Sequence, residues 1–310
     1  MRPERARTEP ATDGALLVDK PAGPTSHDVV RRVRRRIGVH RVGHTGTLDP
    51  FASGLLILLV GRATRLADAF HLLPKCYEAE IRLGRETSTD DPTGEVISEG
   101  SWEPVRREDA LAALERLTGP IRQTPPSFSA VRVGGERAYR WAREGRSVRL
   151  RPRTVTVHGL ELAEFDPPRM RIRATVSTGT YIRALGRDLG RFLGCGAHVS
   201  ELRRTSIGPF RVEDAAAGAG IGEEDGPDLR PAWRPPAHAV GFLRARELED
   251  AEREGIVRGQ AISAGDIRPP AAPAAGEVPT TWPVALLAGG DLVGLAEEDG
   301  AWLRPRTVFA

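Results

Sequence analysis

The sequence predicts an α+β fold, with a mixed, largely antiparallel sheet flanked by helices and a small β-rich unit after it. Three observations carry this. Strand-like alternation and helical apolar spacing are interspersed without the regular strand–helix–strand rhythm of a doubly wound fold. Neither a Walker-type phosphate loop nor a dinucleotide fingerprint occurs in the 310 residues, so nothing points to a nucleotide cofactor. From Gly218 to Pro236 the chain turns Gly-, Asp- and Pro-rich, and short strand patterns follow. The expected organisation is a disordered tail over 1–12, a main domain over 13–217, a linker over 218–236 and a small domain over 237–310. The last contains a Pro/Ala-rich stretch at 269–283.

Gly14 to Asp19 reads as a buried strand, stopped by Lys20-Pro21-Ala22-Gly23-Pro24. Thr25-Ser26-His27-Asp28 opens a helix whose apolar face is Val29, Val30, Val33 and Ile37. Its other face carries Arg31, Arg32, Arg34, Arg35 and Arg36, either a solvated surface or a phosphate-binding stripe. A polar loop over 42–50 leads to a short helix over 51–55, a strand over 57–60 and a helix over 64–73. Tyr77 to Leu83 alternates as a strand, 86–94 reads as a polar loop before a further strand, and 109–117 as a helix. After the extended Gln123-Thr124-Pro125-Pro126, a short helix is expected over 137–143, then strands over 154–165 and 169–177. A helix over 180–192 and a strand over 198–205 complete the domain.

Composition narrows the function classes. The longest apolar run, Leu55 to Val60, is far too short to span a bilayer, and Met1 to Asp13 lacks the apolar core of a signal peptide. A cytoplasmic protein is expected. Two cysteines, Cys76 and Cys195, exclude a Cys-rich zinc module or disulfide scaffold, and the seven histidines show no metal-ligand spacing. The pI near 9.2 reflects arginine, since only Lys20 and Lys75 are lysines. Arginine suits nucleic acid through its planar fork, although a chain-wide bias toward Arg, Ala, Gly and Pro also produces this composition.

The most informative segment is Gly43-His44-Thr45-Gly46-Thr47-Leu48-Asp49-Pro50. Two glycines let the backbone bend sharply and approach a ligand. Asp49 precedes a proline suited to the first position of a helix, so it reads either as a plain N-cap or as a carboxylate kept ionised by a helix start. The run from His44 to Leu56, HTGTLDPFASGLL, resembles the catalytic signature of the bacterial tRNA pseudouridine synthase B family. Further segments resemble that family in the same order: Lys20-Pro21 to Ser26, Lys75-Cys76-Tyr77, Gln123 to Ala130, Gly179-Thr180-Tyr181-Ile182-Arg183 and Leu202-Arg203-Arg204.

The resemblance implies a pseudouridine synthase fold and isomerisation of uridine 55 in the T loop of tRNA, without a cofactor or metal. It implies Asp49 as the essential carboxylate, Tyr77 stacked on the uracil, and Arg183 paired with Asp49. By residue chemistry alone Arg183 lies on a helix pattern and could face solvent. Tyr181 and Leu202 would line the site, and His44 would hold the extruded nucleotide. Lys20 would support the active-site loop. Arg31, Arg32 and Arg35 would contact phosphates, which position the RNA rather than read it. The C-terminal unit resembles the family's PUA-like RNA-binding domain. A monomer is expected, with tRNA as partner and no protein partner implied. Arg132 stands where the family commonly has lysine. A non-catalytic tRNA-binding protein of the same fold, and a glycosidase-like hydrolase with paired carboxylates, are the competing readings; the second needs another acid beside Asp49.

Overall fold

The computed structural model describes residues 13–129, 131–133, 136–137, 141, 146, 150–223, 225–272 and 281–309. The tail over 1–12, most of the helix expected over 137–143 and the centre of the Pro/Ala-rich stretch lie outside the described residues. The chain forms two compact units, one of residues 1–73 with 206–310 and one of residues 74–205.

In the first unit, β1 (Gly14–Lys20) runs antiparallel to β3 (Ser53–Val60), from Gly14 opposite Val60 to Lys20 opposite Gly54. Leu55 to Val60 are all buried, which is why β3 reads as an unbroken apolar run rather than an alternation. Helix α1 (Ser26–Ile37) buries Val29, Val30, Val33 and Ile37, each worth about 1.5–3 kcal/mol relative to exposure. A capping box starts it: Asp28 N–H donates to Thr25 Oγ1 at 3.1 Å, and Thr25 N–H donates to the Asp28 carboxylate at 3.0 Å. Gly38 ends it in the left-handed region, at φ 70°. The short β2 (Val42–His44) pairs with β3, and a 3₁₀ turn over Gly61–Leu66 leads into α2 (Ala67–His71).

The helix expected over 51–55 does not form. Ala52 N–H donates to the Asp49 carbonyl at 3.1 Å, closing a turn with Pro50 at its second position, and the strand already begins at Ser53. Strand pairing of the whole apolar run with β1 outweighs the helix-start signal of Asp49-Pro50.

In the second unit, β4 (Lys75–Leu83) alternates strictly, with Lys75, Tyr77, Ala79, Ile81 and Leu83 on its buried face. The residues read as a polar loop sit on a hairpin of β5 (Arg85–Thr87) and β6 (Val96–Glu99). Helix α3 (Arg107–Arg116) follows, then β7 (Gly119–Gln123) and the two-residue pair β8 (Arg132–Val133) and β9 (Glu136–Arg137). Strands β10 (Arg153–Asp166) and β11 (Arg169–Val176), helix α4 (Ile182–Phe192) and β12 (Ala197–Ile207) complete it. The strand order is β12-β4-β11-β10-β7. Helix α4 lies close on β12, because a Cβ on Gly190 would stand 2.2 Å from the Ala197 nitrogen. The exposed face carries a cross-strand ladder, with Arg171 near Glu80, Glu164 and Glu201, each pair worth under about 1 kcal/mol.

The remaining chain returns to the first unit. Beyond β13 (Phe210–Arg211), β14 (Ala216–Ala217) pairs parallel with β1, and β15 (Trp233–Arg234) antiparallel with it. Among the described residues of 218–236, Ile221, Leu229 and Ala232 are buried. A separate five-stranded sheet then forms in the order β16-β18-β19-β20-β17, from Ala245–Glu247, Val284–Ala288, Asp291–Asp299, Trp302–Val308 and Ile262–Ser263. Phe242 stacks edge-on against Phe70 and Phe210, with centroids 5.4 and 6.1 Å away, so the C-terminal region shares a core with the first strands. Both β14 and β16 add parallel pairs to antiparallel sheets, giving the mixed, largely antiparallel α+β architecture.

Candidate active site

Asp49 lies half-buried in the turn between β2 and β3, and both neighbouring peptides are fixed. The Ser26 hydroxyl donates to the Leu48 carbonyl at 3.0 Å and accepts from the Leu48 N–H at 2.9 Å. On the other side, the Pro50 carbonyl accepts from Gly23 N–H at 2.7 Å and from the Lys20 ammonium at 3.5 Å. Lys20 is fully buried and also donates to the carbonyls of Pro21 and Pro24, both at 2.9 Å. It therefore anchors the loop, and its charge is spread over carbonyl oxygens. No helix starts at Pro50, so the helix dipole expected to favour the Asp49 anion is not at hand. His44 ends β2 opposite Leu58 and is half-buried. Ser26 ends the Lys20 to Ser26 motif, but the resemblance implied no role for it; its bonds to Leu48 make it a residue that builds the loop.

In the second unit, Tyr77 is buried on β4 opposite Ala174 of β11. Arg204, 1% exposed, sits with its guanidinium carbon 6.0 Å from the Tyr77 ring centre and Nη1 3.5 Å from the phenol oxygen. Leu202 is buried on the same face of β12. Lys75 shares the face of Tyr77 and donates to Thr178 Oγ1 at 2.7 Å. Burial, and then the Arg204 charge, lower Lys75 to about 8. Lys75 and Arg204 stand in the Lys75-Cys76-Tyr77 and Leu202-Arg203-Arg204 motifs, and the period-two alternation that buries Tyr77 also buries Lys75.

Arg183, in the first turn of α4, is 3% exposed, which removes the solvent-facing alternative. Its Nη1 donates to the Thr89 carbonyl at 2.8 Å and to Asp91 Oδ2 at 3.1 Å, and Nη2 donates to the Phe128 carbonyl at 2.9 Å. Asp91 also accepts from Thr89 Oγ1 at 2.6 Å and from Thr93 N–H at 2.9 Å, a fully engaged carboxylate. Tyr181, half-buried just before α4, is pinned to the end of β7: its N–H donates to Gln123 Oε1 at 2.9 Å and its carbonyl accepts from Gln123 Nε2 at 3.1 Å. Asp91 escaped the sequence reading, because a Thr/Asp/Gly stretch looks like any solvated loop, whereas Gln123 opens the Gln123 to Ala130 motif, for which the resemblance implied no individual role.

The arginine face of α1 divides. Arg31 and Arg35 are exposed, with Arg31 paired to Asp28 one turn away. Arg32 is half-buried, and Arg34 donates to the Val42 carbonyl at 2.7 Å, a bond within the fold. Among the described residues, no group of three or more His, Cys, Asp or Glu is placed to hold a metal ion, and no helix is long and apolar enough to cross a membrane.

Comparison with known proteins matches these segments. The model of the TruB family pseudouridylate synthase N-terminal domain matches residues 34–182, and that of the tRNA pseudouridylate synthase B C-terminal domain matches 183–218. The chain is 44% identical over 308 residues to tRNA pseudouridine synthase B of Thermobifida fusca (strain YX), covering 96% of this chain and 99% of that protein. It is 44% identical over 258 residues to the protein of the same name from Mycobacterium tuberculosis (strain ATCC 25618 / H37Rv), covering 81% and 84%. Among solved structures, a Cbf5–Nop10–Gar1 complex contains a similar chain, with TM-score 0.71 and 28% identity over 96% of this chain and 85% of that one. The ordered motifs, the fixed aspartate loop and these matches together make the chain a member of the TruB family of pseudouridylate synthases.

Proposed function

We propose that the protein is a tRNA pseudouridine-55 synthase with Asp49 as its essential carboxylate. The observation that carries the reading is the signature loop itself, in which the peptides on both sides of Asp49 are tied down by Ser26, Gly23 and Lys20. A reacting carboxylate needs this positioning, because misplacement by about 1 Å can cost roughly a hundredfold in rate. The reaction breaks the N1–C1′ bond, turns the uracil and joins C5 to C1′; the proton lost from C5 is balanced by one gained at N1. It is an isomerisation, with no net oxidation. Asp49 starts it by attacking ribose or base, or by taking a ribose proton. Tyr77 stacks on the detached uracil near the departing C5 proton, and Leu202 and Tyr181 line the base. Arg183 pairs with Asp49, since a neighbouring cation favours the carboxylate form. His44 holds the nucleotide extruded from the T loop, and recognition is mainly of T-arm shape.

The C-terminal β-sheet is the PUA-like region, proposed as a second RNA contact. A monomer acting on tRNA in the cytoplasm, without a protein partner, belongs to the same proposal. The paired-carboxylate hydrolase gains nothing from Asp91, whose oxygens are occupied by Thr89, Thr93 and Arg183. The test is incubation of the protein with a T-arm transcript and mapping of pseudouridine. Product at position 55 is expected; a bound but unmodified transcript would favour the tRNA-binding reading instead.

Arg31 and Arg35 are the solvent-facing cations proposed to meet phosphate, with Arg32 partly covered. Changing Arg31 and Arg35 to glutamine should flatten the dependence of log affinity on log salt by about 0.7–0.9 per lost phosphate contact. Titrations of tRNA across salt concentrations check this, and an unchanged slope returns the helix to a solvated face.

A further inference from the structure

Helix α4 carries a ladder of arginines whose middle rung has no part in the roles above. Arg183, Arg187 and Arg191 recur every four residues and so stack along one side of the helix. Each meets an acid of the β5–β6 hairpin: Arg183 meets Asp91 at 3.1 Å, Arg187 meets Asp90 at 2.8 Å, and Arg191 meets Glu86 at 3.5 Å. Burial decreases along the ladder. Side-chain exposure is 3% and 6% in the first pair, 10% and 13% in the second, and 59% and 19% in the third. The first two rungs are desolvated, where breaking a pair is costly, whereas the third is a surface pair of small value.

The two inner arginines also grip the same loop. Arg187 Nη2 donates to the Thr124 carbonyl at 2.8 Å, as Arg183 Nη2 does to that of Phe128 at 2.9 Å. Between these lie Pro125 and Pro126, which have no N–H with which to fasten the loop themselves. Arg187 is completed by Asp188 Oδ1, 3.0 Å from its Nε. Asp90 is the one non-glycine residue among those described with positive φ, at 59°. Its N–H donates to the Thr87 carbonyl at 3.1 Å and its own carbonyl accepts from Val199 N–H at 3.2 Å, so the hairpin tip is held on three sides.

We infer that Arg187 and Asp90 form a positioning clamp, which locks the hairpin tip and the 124–128 loop to α4 and so fixes the guanidinium of Arg183 for the reaction. This rests on the proposed role of Arg183. The coupling is geometric: Asp90 and Asp91 are consecutive, so a tip released at Asp90 also moves the carboxylate and the Thr89 carbonyl that hold Arg183. Burial, the largest influence, pushes the Asp90 carboxyl above the usual range, against the pull of Arg187, then Arg183 and Arg191. Arg187 is thus the main partner keeping that site charged.

The test uses the full chain with Asp90→Asn, Arg187→Gln, Arg187→Lys, the double variant Asp90→Asn/Arg187→Gln, and Arg191→Gln as the outer-rung control. Asparagine tolerates a left-handed backbone, so Asp90→Asn keeps the turn even if Arg187→Gln folds poorly. Turnover should fall about ten- to a hundredfold in Asp90→Asn and Arg187→Gln, with tRNA affinity nearly unchanged. The double variant should be no worse than the poorer single, as for two halves of one device. Lysine should recover part of the loss, since an ammonium can serve Asp90 but not also fork to Thr124. Arg191→Gln should match the wild type. Hydrogen exchange is read in parallel, with faster exchange expected over 88–95 and 124–128 in Asp90→Asn. Wild-type turnover in folded Asp90→Asn, multiplicative losses in the double variant, or unchanged exchange in those segments would each overturn the clamp. An inactive wild type would instead count against the proposed function, and the exchange data still decide the clamp.

Discussion

Replacing Asp49 by asparagine is expected to abolish pseudouridine formation, lowering turnover by at least ~10³-fold, while tRNA binding persists. The substitution keeps the size of the side chain and removes only its charge and basicity. The bonds that Ser26, Gly23 and Lys20 make to the loop go to the backbone of Leu48 and Pro50, so they do not depend on the carboxylate. The loop should therefore stay folded, and the loss should fall on chemistry rather than on recognition. Single-turnover assays on a T-arm transcript, with binding measured on the same samples, separate the two. Undiminished product would remove Asp49 from the mechanism; equal loss of binding and turnover would make it a structural residue of the loop.

Replacing Lys75 by methionine should change how stability depends on pH. Burial lowers the ammonium from 10.5 to about 8 in the folded protein. Below about pH 8 the group is protonated in both folded and unfolded chains, and the folded state bears the full penalty of a buried charge. Between pH 8 and 10.5 the folded chain has released the proton while the unfolded chain keeps it. The unfolded state then binds more protons, so Lys75's contribution to stability rises with pH by up to about 3 kcal/mol. Lys75 is 5% exposed, so solvent screening takes little from this figure. Methionine fills similar space without a charge, and its variant should be the more stable near neutrality, with the advantage shrinking toward pH 10. Denaturant unfolding at a series of pH values reads the difference directly. Parallel curves for the two proteins would show that Lys75 keeps an ordinary pKa.

Local rules located most elements, and they failed where two readings shared one segment. The strands at 14–20, 75–83 and 169–176 were legible because apolar runs and alternation mark them without reference to anything distant. At 51–55 an Asp-Pro helix start met an apolar run, and pairing with β1 decided for a strand. The stretch 86–94 gave no apolar signal, and so hid the hairpin tip on which Arg183 and Arg187 are held. Arg183 was visible through its motif. That it is buried was not, because on a helix one arginine pattern serves both a wet face and a packed one.

The sequence by itself determined the family, the order of its motifs and the identity of the aspartate at their centre, because each is a property of neighbouring residues. Only the tertiary structure decided what holds that aspartate in place. A turn takes the place of the expected helix start, and Ser26, Gly23 and Lys20 reach Leu48 and Pro50 across more than twenty residues of chain. Bonds over that separation depend on strand register and on how α1 lies beside the loop, which no local pattern encodes.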